Sequence, residues 1–423
     1  MKRTGETGKS GIASNIRLSV ILAAAAAAVA PVKSSAAMSA DTGLRQAVGN
    51  SYPSIAVPKL SQHGEIDLSA VEETSNVTVM SMAYSPDDNY LAIVDVTRGA
   101  ATHITVWNLK TKKLQSHTDR LHTDFGIYPD AVLSWTPDGK YITFGYGGKK
   151  NPIQFWDPIT GSIVKTAAPG VVATSLQFNK QGTKAVASPG VGGSSKFRIY
   201  DTVTWSYTEF DEGQLYVQDV AWASDDKVVA VGYWHTRVGE EGGGTNSKGG
   251  GDEQAIKLND VVARLIDPSG HLEDHTKVLI PSLPKTVGSS NREVTYNQSQ
   301  APSAPFLVSD ADGTVMALGL GNVLNGRTLD MLTYATNKDI VGHKVPLAVQ
   351  PRNVAISPDG NYLYLKGSAL DNSSEGARNL IVDTRTGKQV LWFRGGSDGI
   401  AIRPDGKQLA VGDGQSVKLW DIE

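Results

Sequence analysis

The chain has 423 residues, with 40 Lys and Arg against 43 Asp and Glu, a formal net charge of −3, and no cysteine. Without thiols there are no disulfides, no thiolate catalysis and no Cys-ligated zinc. A mildly acidic chain with no Lys/Arg cluster in its body argues against nucleic acid, whose phosphates demand basic patches.

Residues 1–37 read as a signal peptide. Lys2, Arg3, Lys9 and Arg17 form a basic leader, Leu18 to Ala30 is apolar, and Ser35-Ala36-Ala37 supplies the small residues of a cleavage site. The thirteen mostly alanine residues, ended by Pro31, fall short of the ~20 that span a bilayer. No transmembrane segment is therefore expected after cleavage, the competing reading being an uncleaved signal that tethers the chain. Losing this leader removes five basic residues and Glu6, which takes the charge from −3 to −7. The expected location is periplasmic or secreted, which the lack of cysteine suits.

Residues 38–64 are a lead-in, and 65–423 carry a recurring phrase. A short apolar run, a Ser-Pro-Asp-Gly type of turn, a second apolar run and an alternating strand ending in Trp-Asp follow one another. Ser85-Pro86-Asp87-Asp88 leads to Trp107-Asn108, Thr136-Pro137-Asp138-Gly139 to Trp156-Asp157, and Arg403-Pro404-Asp405-Gly406 to Trp420-Asp421. Self-similarity at this period, with four short strands per unit, predicts a β-propeller. The turns align at Asp87, Asp138, Gln181, Asp225, Asp312, Asp359 and Asp405, spaced by 51, 43, 44, 87, 47 and 46 residues. The longest step contains one strand end, Ala263 to Asp267, and two polar insertions at about 236–256 and 284–305. Seven blades therefore fit better than eight. The last unit stops at its third strand, Trp420-Asp421, so Glu65 to Val71 is expected to supply the fourth, because an unpaired edge invites association. The expected fold is all-β: a seven-bladed propeller of four-stranded antiparallel blades, closed by an N-terminal strand that completes the last one.

With Phe197 to Asp201 and Leu380 to Asp383 as variants of the strand end, the pattern over Val77 to Glu423 resembles the WD-repeat family. It is equally similar to bacterial envelope propellers of the Tol-system type. The Gly-His that precedes each blade in strict WD repeats does not recur from blade to blade; Gly342-His343 is an isolated instance. The resemblance implies a binding platform with a protein or peptide partner.

Strand parity puts both insertions on one face, since the first joins the second and third strands of the fourth blade and the second crosses to the fifth. His235, Arg237, Arg292 and Tyr296 are the candidate binding residues there, against the alternative that the insertions are unstructured decoration. Asp130, Asp219, Arg352, Asn353 and Asp398 form a second set at the channel mouth on that face, where the inner strands begin. Such carboxylates hold a cation or a basic side chain, or line a hydrated polar rim.

Other motifs fail. Gly5-Glu6-Thr7-Gly8-Lys9-Ser10 lacks the first glycine of a phosphate loop and lies in the leader. His271-Leu272-Glu273-Asp274-His275 has its glutamate at the wrong position for a metalloprotease pair and follows a turn. Asp310-Ala311-Asp312-Gly313 lacks the closing glutamate of a calcium loop and reads as a hairpin. The recurring tryptophans read as packing between blades. No catalytic residue, metal or cofactor is assigned. The expected function is an exported protein- or peptide-binding scaffold in the cell envelope; the alternative is a propeller enzyme of lactonase or quinoprotein amine dehydrogenase type.

Overall fold

The computed structural model describes residues 45–46, 58–71, 77–97, 101–118, 121–122, 133–145, 153–167, 175–189, 194–213, 215–223, 226–237, 256–268, 276–280, 306–313, 315–319, 328–334, 340–346, 349–369, 377–384, 386–394 and 399–423. Two strands, β1 (Arg45–Gln46) and β2 (Leu60–Asp67), precede the repeats. The first blade contains β3 (Val77–Tyr84), β4 (Tyr90–Thr97), β5 (Ala101–Asn108) and β6 (Lys113–His117), with β7 (Leu121–His122) also on β5. The second has β8 (Ser134–Trp135), β9 (Ile142–Phe144), β10 (Ile153–Trp156) and β11 (Ile163–Ala167). The third has β12 (Ser175–Phe178), β13 (Lys184–Ser188), β14 (Lys196–Asp201) and β15 (Tyr207–Asp211). The fourth has β16 (Leu215–Trp222), β17 (Val228–Arg237), β18 (Ile256–Ile266) and β19 (Thr276–Ile280). The fifth has β20 (Phe306–Ser309), β21 (Val315–Gly319), β22 (Thr328–Tyr334) and β23 (Ile340–Pro346). The sixth has β24 (Val349–Ile356), β25 (Tyr362–Ala369), β26 (Ala377–Asp383) and β27 (Lys388–Arg394). The seventh has β28 (Ile400–Ile402), β29 (Gln408–Asp413) and β30 (Ser416–Ile422).

These strands make seven antiparallel sheets, each running from an inner to an outer strand. Each inner strand lies against the next, and the last, β28, lies against the first, β3. The chain is thus an all-β propeller of four-stranded antiparallel blades. Its apolar core sits between blades. Trp156 is buried with Ile104 and Val106 of the first blade, Trp107 with Leu419 of the seventh, and Trp420 with Tyr364 and Phe393 of the sixth.

The repeated turn has a chemical reason for each residue. The hydroxyls of Ser85, Thr136 and Ser357 donate to Asp87, Asp138 and Asp359 at 2.5–2.7 Å. They also accept the N–H of Tyr90, Tyr141 and Tyr362 at 2.9–3.0 Å. Each aspartate then caps the far side, accepting from Asn89, Lys140 or Asn361 N–H, the local bonding that makes such residues turn formers. Partial burial opposes ionisation of Asp138, but hydrogen bonds from Thr136 and Lys140 outweigh it and hold the carboxyl below its ordinary value. The next position is left-handed, at φ +69° in Gly139 and +73° in Gly406, a region that glycine enters without steric cost. Turn glycines also lie close to a proline of the preceding blade: a Cβ on Gly139, Gly182 or Gly406 would meet Pro86, Pro137 or Pro358. At Gly182, where that Cβ would come within 3.0 Å, glycine lets neighbouring turns approach as well as reversing the chain.

The residue three before the turn aspartate reaches back one blade. Trp135 Nε1 donates to the Ala83 carbonyl at 2.9 Å and Trp222 Nε1 to that of Gln177 at 2.8 Å. Tyr84 does the same across the closure, donating to Gln408 Oε1 at 3.3 Å, and burial pushes its phenol far up. A buried ion pair, Arg264 Nη1 to Glu212 Oε2 at 2.5 Å, ties the fourth blade to the end of the third.

Closure differs in position from the sequence expectation. The strand completing the last blade is β2, paired with β30 from Leu60↔Ile422 to Asp67↔Ser416, and Leu68–Ala70 is a 3-10 turn. The expected Glu65 to Val71 overlaps it by three residues, and the lead-in 38–64 ends inside it. Its period-two pattern is hidden by an irregularity between Gln62 and Gly64 and by exposure of half of its residues. Two additions were not foreseen: β1 adds a fifth strand outside β27, and β7 adds to β5. Gly342-His343, expected before a blade, lies within the outer strand β23.

Two outcomes follow from this packing. A chain starting at residue 58 should unfold cooperatively near the full-length melting temperature, whereas one starting at residue 68 should aggregate or lose its cooperative transition, as read by calorimetry and light scattering. Asp88 occupies the left-handed turn position at φ +61°, with its carboxyl raised by burial and by Asp405. Asp88→Gly should therefore stabilise the fold by about 1 kcal/mol in chemical denaturation.

Candidate binding face

The fourth blade has the longest second and third strands, and their register shows why that matters. Among the described residues, β16 pairs with β17 as far as Leu215↔Trp234, and β19 pairs with β18 over Val261–Arg264. Beyond those limits β17 and β18 continue as a two-stranded ribbon, His235↔Leu258 to Arg237↔Ile256, after a register irregularity at Trp234/His235. His235 and Arg237 therefore sit on a projecting hairpin arm. The insertion at its tip, with Gly239 to Gly251, lies outside the described residues, as do Arg292, Tyr296 and the 284–305 insertion. The crossing that carries the latter leaves β19 at the same end of the blade as the arm.

Of the channel-mouth set, Asp130 and Asp398 lie outside the described residues. Arg352 falls at a register irregularity of β24, between Pro351 and Asn353. Asn353 and Asp219 lie within their inner strands, each just past an irregularity, rather than where those strands begin. The two are equivalent, six residues before the turn, but Asp219 is committed to the fold. Ser188 of the third blade donates to its Oδ1 at 2.6 Å, its own neighbour Val220 N–H does so at 2.9 Å, and Leu307 N–H of the fifth blade donates to Oδ2 at 2.7 Å. One carboxylate thus bridges three consecutive blades. Ser81 holds the same position in the first blade and accepts the Leu133 N–H of the second at 3.3 Å.

Sequence reasoning missed two buried groups on the matching second and third strands of the sixth blade. Lys366 is 1 % exposed and its Nζ donates to the Gly412 carbonyl of the seventh blade at 3.0 Å. Its register partner Asn379 is fully buried with neither amide atom hydrogen-bonded. A lysine closing the apolar run Tyr362 to Leu365 was the available signal. In the first blade, His103 faces Asp95 across β5 and β4 at 3.6 Å, both buried. His271 to His275 lies outside the described residues, and Asp310 to Gly313 is a hairpin turn with Gly313 N–H on the Asp310 carbonyl. Among the described residues, no group of three or more His, Asp or Glu is placed to hold a metal, and no helix is long and apolar enough to cross a membrane.

No protein-family model and no curated protein sequence matches the chain. Solved structures do match its fold. Kuenenia stuttgartiensis hydrazine synthase superposes with a TM-score of 0.57 at 14% identity, over 82% of this chain and 96% of that one. The β-propeller domain of Myceliophteria thermophila Cps50 (Swd1) gives 0.56 at 12% identity, over 86% of this chain and 100% of its own. At such identities the likeness is one of fold alone.

Asp219→Ala should cost about 2–4 kcal/mol, since it strands buried donors of two other blades. Ser188→Ala should lower stability less, both being read from urea midpoints. A ligand rim would instead give a variant of unchanged midpoint.

Proposed function

We propose that the chain is an exported WD-repeat-type scaffold, its seven sheets forming one ring, which binds a protein or peptide in the cell envelope through its insertion-bearing face. The observation that carries this reading is the arm of β17 and β18, which outruns both flanking strands at the end of the blade from which the crossing to the fifth blade also leaves. Ordered contacts between blades hold the base of that arm in place, and a preordered platform loses less entropy when a partner docks. Long connections on a rigid scaffold are where recognition is usually carried. The basic, apolar and small-residue zones of residues 1–37 support export, and a charge of −7 after their loss disfavours nucleic acid.

The test is affinity capture from the native envelope with the intact chain and with a variant lacking Gly239 to Gly251. The deletion should leave the melting temperature almost unchanged, because loop length alters closure entropy slowly, and should lose the captured partner. Equal capture by both proteins overturns the assignment to this face. Stoichiometric metal or a chromophore in the purified protein would favour the enzyme alternative.

A further inference from the structure

The described residues carry five exposed large hydrophobic side chains, Ile159, Ile163, Val164, Val203 and Tyr207, and all belong to the second and third blades. Scattered apolar residues need no explanation, but a joined group does. Tyr207 among them is joined to an aromatic cluster around Trp205, in the turn between β14 and β15, whose ring meets Phe155 of the second blade edge-on at 4.9 Å and lies 6.1 Å from Tyr200. Tyr200 in turn is 5.6 Å from Tyr207. Lys165 of β11 stands over the indole at 3.8 Å.

Trp205 is itself out of place. Its N–H closes the turn on the Asp201 carbonyl as Gly161 and Gly387 do on Asp157 and Asp383. Those glycines have φ +69° and +66°, and Trp205 takes +57°, which is strained for a bulky side chain. The strain sets an aromatic face on the wall where the second and third blades meet.

Among the described residues, that wall includes an unpaired sheet edge. β11 is the outermost strand of its sheet, and four of its five residues, Ile163 to Thr166, are exposed. The outer strand β15 carries Glu209 and Asp211, both engaged by Lys196, and β6 carries Lys113 and His117; β11 has Lys165 alone. Burial lowers the pKa of that ammonium, which contacts aromatic rings and no carboxylate. The ring already seats extended segments on such edges, β2 on β30 and β1 on β27.

A second copy is a poor occupant, because antiparallel pairing of two β11 strands about their centres would set Lys165 against Lys165, and like charges directly opposite are destabilising. A carboxylate at that position reverses the sign. We propose that the outer edge of the second blade takes an extended, acidic and apolar segment of a partner protein as an added strand, with a carboxylate opposite Lys165 and apolar side chains against the Trp205 wall. This surface is separate from the insertion-bearing face.

The probe is a fluorescein-labelled peptide, Val-Thr-Val-Thr-Glu-Thr-Val-Thr-Val, which sets its Val side chains on the same face as the central Glu, titrated with the full chain by anisotropy, beside a version with central Lys. The Glu peptide should bind saturably, at least about ten-fold more tightly than the Lys peptide. Lys165→Glu should invert that order and Lys165→Gln abolish it, with melting temperatures confirming that both variants fold. N-methylation of alternate peptide residues should eliminate binding in one register and spare it in the other, since an added strand uses every second N–H. The variant lacking Gly239 to Gly251 should bind normally. No saturable binding, equal affinity for both peptides, or indifference to both methylation registers overturns the proposal.

Discussion

The seventh blade has three strands of its own, and everything else depends on how its outer edge is completed. Residues 60–67 travel with the start of the chain yet pair with 416–422 at its end. The backbone bonds continue past the paired strands: Lys59 and Glu423 exchange N–H and carbonyl at 3.0 Å, and Leu68 N–H reaches the Gln415 carbonyl at 2.9 Å. Ile66 and Leu68 then fill the seam between first and seventh blades beside Trp107 and Leu419. Closure therefore brings both backbone pairing and apolar burial, and it joins the two most distant parts of the repeat region. The entropy of that long loop has to be offset by contacts that form only when the intervening blades are in place.

Between those ends, stability comes from a few side-chain positions reused from blade to blade. The turn residue pattern reverses each inner strand and brings its glycine close to the previous proline. The aromatic before the turn hydrogen-bonds one blade back, and the position six before it bonds one blade forward, as Ser81 and Asp219 do. Where the seventh blade has Gly399 instead, its N–H bonds the Val79 carbonyl directly, and Lys366 reaches across from the sixth blade to Gly412. A polar group at the position six before the turn is drawn into bonds with neighbouring blades. That is why Asp219, a reasonable candidate for a mouth ligand, is a structural clamp.

The two proposed interaction surfaces lie instead where the repeat is interrupted or departs from its own rule. The arm of β17 and β18 begins where pairing to both neighbours stops. The wall of the second and third blades exists because a tryptophan occupies a glycine's turn position and an outer strand carries Ile and Val without a carboxylate.

The repeat and the turn positions were legible in the sequence, because each is a local pattern: Pro, Asp and Gly set the turn dihedrals, and alternation of apolar residues sets the strands. The need for an N-terminal strand was legible too, from an odd strand at the end. Its location was not, since a half-exposed outer strand carries little apolar alternation and the irregularity at Gln62 to Gly64 breaks what there is. The partners of Asp219, the burial of Lys366 and the meeting of Phe155 and Lys165 with Trp205 depend on contacts between blades. Those contacts are chosen by three-dimensional packing of residues far apart in the chain, so only the tertiary structure could decide them.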